Sequence, residues 1–102
     1  MGRKSLPYEE ELYQWMQDRD NAAAYLTAAI EDGDREGFLL ALRNVAQARG
    51  GGMAVVAEKA HLGRESLYKM LSQRGNPEFR SVTALLHSLG LKLTVEPEDK
   101  AA

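Results

Sequence analysis

The chain has 102 residues, 44% hydrophobic and 27% charged, with no cysteine and a formal net charge of −2. This length fits one small domain around one core. The missing cysteines exclude disulfides, thiolate nucleophiles and cysteine-ligated zinc or iron–sulfur sites, and no apolar run approaches the roughly 20 residues that cross a bilayer. The start, "MGRKS", is basic but leads into Pro7, Tyr8 and three glutamates instead of an apolar stretch. Secretion is therefore not signalled, and a cytoplasmic location is expected.

The charge is unevenly spread. Residues 1–34 carry 3 basic and 8 acidic side chains, a net −5, residues 35–75 carry 7 and 3, a net +4, and residues 76–102 carry 3 and 4, a net −1. An acidic front joined to a basic middle implies two surfaces for two kinds of partner, one basic and one polyanionic. The alternative is that the front acids only solvate a helix.

In chain order, "YEEELYQWM" places Tyr8, Leu12, Trp15 and Met16 on one face of a short helix after Pro7, with Glu9, Glu10 and Glu11 on the exposed side. Asp20 is a candidate cap for a second helix, Asn21 to Glu31, with Ala22, Tyr25, Leu26, Ala29 and Ile30 inward and Gly33 as its stop. Asp34 is then placed to cap a third from about Arg35 to Arg49, with Phe38, Leu39, Leu42, Val45 and Ala46 on the core side. Three glycines, Gly50 to Gly52, end it.

"AVVAEKAHLGRESLYKML" follows, and its apolar positions form two short helical stripes broken at His61-Leu62-Gly63. Two stubby helices meeting at a three- or four-residue turn are the arrangement that lays a recognition helix in the major groove. Val56, Ala57, Ala60, Leu62, Leu67 and Met70 are the expected inward positions. The outer face of the second helix is Arg64, Glu65, Tyr68, Lys69 and Ser72, at i, i+1, i+4, i+5 and i+8. Arg64 and Lys69 suit guanine or phosphate, and Glu65 can accept from cytosine N4. Ser66, Gln73, Arg74 and Arg49 are candidate phosphate contacts, which position without reading sequence. A helical hairpin with a merely solvated face is the competing reading.

A turn at Gly75-Asn76-Pro77 leads to a helix from about Phe79 to Ser88, with Val82, Leu85, Leu86 and Leu89 inward and Gly90 as its end. "LKLTVE" then alternates Leu91, Leu93 and Val95 with Lys92, Thr94 and Glu96, the period of a half-buried strand. A lone strand leaves its backbone groups unpaired, so it is expected to pair with its own copy in a dimer, through Leu91, Leu93 and Val95, or with another protein's strand. A strand packed on the domain, or a frayed tail, is the alternative. "PEDKAA" reads as disordered.

The expected fold is thus all-α, five to six short helices with a C-terminal strand. It divides into an acidic segment 1–34, a DNA-binding unit 35–96 and a tail 97–102. His61 and His87 are the only histidines, with no metal-binding HExxH spacing, and Gly50 to Gly52 lack the Lys and Ser/Thr of a phosphate loop. No enzyme activity and no cofactor are expected.

The stretch "ALRNVAQARGGGMAVVAEKAHLGRESLYKMLSQRGNPEFRSVTALLHSLGLKLTV", preceded by "AAAYLTAAIEDGD", resembles the addiction-module antidote family, antitoxins similar to the HigA type. "RESLYK", "GNP" and "LGLKLTV" are its more specific pieces, and the resemblance covers about Ala22 to Val95. It implies a fold like that of phage repressors, a small basic ribonuclease toxin similar to RelE or HigB as partner, and repression of the shared operon by a dimer. This sequence departs from such motifs at two positions: His61 stands where the turn usually has Gly, and Gly63 where the next helix usually opens with Ser. For an antitoxin, "YEEELYQWM" would lie on the toxin, with Tyr8 and Trp15 as anchors, Leu12 beside them and Glu9 and Glu10 against cationic residues. Tyr25 and the rest of the second helix offer another such face. A stand-alone repressor, or an interaction module that has lost DNA binding, would keep the same fold.

Overall fold

A computed structural model describes residues 7–72 and 74–99, with side chains from residue 10. Six helices appear among them: α1 Pro7–Met16, α2 Arg19–Asp32, α3 Arg35–Arg49, α4 Met53–Ala60, α5 Arg64–Met70 and α6 Phe79–Ser88. No described helix is long and apolar enough to cross a membrane.

Each boundary has a local cause. Pro7 occupies the first residue of α1, where a missing N–H costs nothing. Asp18, not Asp20, caps α2: its Oδ1 accepts from the backbone N–H of Asp20 at 2.8 Å and of Asn21 at 3.1 Å. Gly33 ends that helix in the left-handed region at φ 76°. Asp34 stands at the head of α3 but its side chain makes no capping bond. Gly50 closes α3, and a Cβ there would overlap Val56 Cγ2 and lie 2.6 Å from the Ala46 carbonyl oxygen. Only a residue without a side chain lets the chain turn so close to α4.

The core is one cluster running from Met16, Ala22 and Leu26 through Leu39, Leu42 and Val45 to Val56, Leu67, Leu71, Leu85 and Leu89. The helix α3 stands in the middle, with α1 and α2 packed on one flank and α4 on the other, while α5 and α6 pack on α4. The acidic front therefore shares a core with the rest of the chain. Leu12, Tyr25, Ala29, Phe38, Leu62 and Leu91 pack at its edge, half-buried. Ile30 differs from expectation: it is 48% exposed. The helix needs only Ala22, Leu26 and the edges of Tyr25 and Ala29 inward, and Ile30 falls outside that stripe.

The C-terminal strand is absent. Residues 91–99 carry no regular structure, because no described strand lies beside them to take up their backbone groups. Leu91 is half-buried, its N–H bonded to the Leu86 carbonyl at 2.8 Å, whereas Leu93 is half-exposed and Val95 almost wholly exposed.

Candidate functional site

The corner between α4 and α5 is built by backbone. The N–H of His61 donates to the Glu58 carbonyl at 3.1 Å, and that of Leu62 to the Ala57 carbonyl at 2.9 Å. This paired closure needs a left-handed residue between the two, and His61 takes it at φ 58°, ψ 41°. It is the one described non-glycine residue with positive φ. The His61 Cβ costs some strain there, and half-buried Leu62 packing against the core offsets it. Gly63 then heads α5 in an extended conformation with no side-chain cap, so α5 is held chiefly by Leu67, fully buried, and Met70.

Those two anchors leave the other faces of α5 to solvent. Arg64, Glu65, Ser66, Tyr68 and Lys69 are all exposed, Tyr68 at 53%. None of these five side chains is engaged by another described residue, so two cations, a carboxylate, a hydroxyl and a phenol stand free. Ser72 lies past the end of α5, half-buried, and its hydroxyl donates to the Lys69 carbonyl at 2.8 Å. Arg74 is exposed, and Gln73 lies outside the described residues.

A recess of about 700 Å³ on the flank of α5, lined also by Leu62, Met70 and Pro77, brings Ser66, Lys69, Ser72 and Arg74 together with Asn76, Glu78 and Ser81. Asn76 and Ser81 were not expected there; the sequence showed Asn76 only as part of a turn. Gly75 makes that turn possible, since a Cβ would overlap the Met70 carbonyl and sit 2.9 Å from that of Lys69.

Arg49 is placed elsewhere. Its guanidinium is half-buried, donating from Nε to the Leu89 carbonyl at 2.9 Å and from Nη1 to the Gln17 carbonyl at 2.7 Å. It ties the α1–α2 turn and the end of α6 to α3, and does not join the α5 cluster. Partners 32 and 40 residues away leave no local trace in a sequence.

The front presents aromatic rings on fixed supports. Trp15, 43% exposed, meets Tyr25 edge to face with ring centroids 6.5 Å apart. The Tyr25 hydroxyl accepts from Asn44 Nδ2 at 3.1 Å, and the Trp15 carbonyl from Asn21 Nδ2 at 3.0 Å. Tyr13, not singled out from the sequence, is 44% exposed and donates to the Gln47 carbonyl at 3.0 Å. Glu10 and Glu11 are exposed beside them, and Leu12 is turned to the core. Tyr8 and Glu9 lie in the first turn of α1, and their side chains are outside the described set.

Comparison with known proteins bears on both surfaces. The family model for probable addiction module antidote proteins matches residues 8–97, nearly the whole chain and including both surfaces. A Haemophilus influenzae protein described as uncharacterized is 38% identical over 72 residues, 71% of this chain and 72% of its own. No solved structure matches.

Proposed function

Because the chain belongs to the family of probable addiction module antidote proteins, we propose that it is an antitoxin of the HigA kind with two binding faces. One neutralises a small basic toxin similar to RelE or HigB. The other binds operator DNA as a helix-turn-helix and represses the shared operon as a dimer in the cytoplasm. The chain acts by binding alone, without catalysis or cofactor.

The observation that carries the DNA half is α5, seated on α4 by Leu67 and Met70 with every other described side chain free. In the major groove, Arg64, Glu65, Tyr68 and Lys69 meet base edges, while Ser66, Arg74 and Asn76 along the adjoining recess meet phosphates. The free side chains have no internal bonds to break before reaching DNA. For the toxin half, Trp15, Tyr25 and Tyr13 are rings already fixed in place, and Glu10 and Glu11 supply charge opposite to a basic toxin. Pre-set rings lose little freedom on binding.

Co-expression of the tagged chain with its neighbouring genes tests this reading. The expected result is a stoichiometric small basic protein that co-purifies and arrests growth when expressed alone. Failure to recover one, with specific binding to the chain's own promoter retained, would leave a stand-alone repressor. The packing of Met16 and Trp15 against this chain's own helices is the feature that would suit that outcome.

A further inference from the structure

Residues 91–96 combine three properties that the fold does not use. The segment carries no regular structure and no described strand lies beside it, Val95 is 98% and Leu93 39% exposed, and it borders an open groove of about 900 Å³. The other wall of that groove is α2, with Ala23, Leu26, Thr27, Ile30 and Glu31. A segment with this alternation and no described strand beside it is open to pairing with another strand.

The alternation of the segment is complementary to itself. An antiparallel two-fold pairing must oppose residues whose numbers have an even sum, because an odd sum sets each apolar side chain against a polar one. Two central registers remain. With Leu93 on the axis, Lys92 faces Thr94 of the second copy and Glu96 meets no cation. With Thr94 on the axis, Leu93 faces Val95 of the second copy, and Lys92 faces its Glu96, each pair occurring twice by symmetry. In that register Leu93 and Val95 fall at the narrow, non-hydrogen-bonded pairs when Thr94 is a hydrogen-bonded one, and Pro97, which has no N–H to donate, falls at another non-hydrogen-bonded position.

We infer that this chain dimerises by antiparallel pairing of residues 91–96 with the same segment of a second copy, with Thr94 on the two-fold axis. The inference rests on the dimeric state proposed above and specifies its surface and register. A six-residue ribbon alone is marginal. Here Leu93 lines the groove that Ile30 also lines, so its pairing with Val95 of the second copy adds apolar contact to the backbone bonds.

Sedimentation equilibrium of the full chain tests it without reference to DNA or toxin. The wild type is expected to be a dimer. Lys92→Glu and Glu96→Lys each create two like-charge pairs and raise the dimer dissociation constant about tenfold, while the double reversal returns it to within about threefold of wild type. Since the chain has no cysteine, Thr94→Cys adds a single thiol that oxidation should link across the axis, faster than Leu93→Cys or Val95→Cys. A monomeric wild type, a dimer indifferent to both single reversals, or a double reversal that fails to restore pairing overturns the inference. A dimer that behaves as expected yet ignores DNA leaves the inference standing and removes the repressor reading.

Discussion

The two surfaces proposed to bind partners differ in how their side chains are held. On α1 and α2 the exposed rings are supported from behind, Tyr13 by the Gln47 carbonyl, Tyr25 by Asn44 and Trp15 by Tyr25. On α5 the exposed side chains make no hydrogen bond or ion pair with another described residue, and the helix itself is held chiefly by buried Leu67 and Met70. A surface for a folded protein gains from rigid anchors, whereas one for DNA gains from long charged side chains that can settle on base edges and phosphates. Between them stands α3, whose Leu39, Leu42 and Val45 are fully buried in the shared core.

If the two faces share one core, damage to it removes both together. Leu42→Ala should cost about 2–5 kcal/mol, and unfolding followed by Trp15 fluorescence should coincide with unfolding followed by far-ultraviolet circular dichroism. Two separated transitions would break the comparison into two independent domains.

Arg64→Ala or Lys69→Ala should cost about 1–3 kcal/mol on operator DNA and leave the melting temperature unchanged. A base contact relaxes sequence choice at one position, and a phosphate contact weakens all sequences alike, as titration of operator variants would separate. Gly75→Ala should destabilise by about 1–3 kcal/mol, because the added Cβ meets the Met70 backbone. That change should lower the urea midpoint of the whole chain, since the turn it distorts joins α5 to α6.

Smaller effects isolate single devices. Asp18→Ala should cost about 1 kcal/mol by removing the cap of α2. His61→Gly should be neutral or stabilise by up to about 1 kcal/mol, since glycine adopts the left-handed turn without a Cβ penalty, set against a more flexible unfolded chain. A loss above about 1 kcal/mol on thermal unfolding would mean that the imidazole itself contributes to the corner.

These contrasts also mark what the sequence could state. The bounds of α3 and α6 agree with the expectation from Gly50, Gly90 and the spacing of their leucines, since those signals are local. The left-handed residue at His61 followed from the resemblance, which usually has Gly at that turn position, and not from a local signal of its own. Asp20 read as the cap of α2, whereas Asp18 caps it, because the fold rather than the local sequence decides where that helix begins. "LKLTVE" has the alternation of a strand, but alternation expresses a capacity to pair, and the described residues hold no partner. Arg49 read as a candidate phosphate contact because its acceptors, two backbone carbonyls, carry no sequence signature.

The most direct test of two distinct faces on one core is a crossed affinity measurement. Trp15→Ala, Arg64→Ala and Lys69→Ala would each be titrated against operator DNA and against the small basic protein that co-purifies with the chain. Trp15→Ala is expected to weaken the protein partner by about 2 kcal/mol or more and leave DNA affinity intact, with the reverse for the two α5 variants. Folded variants that lose both partners equally, or an α5 variant that binds operator as wild type does, would contradict it.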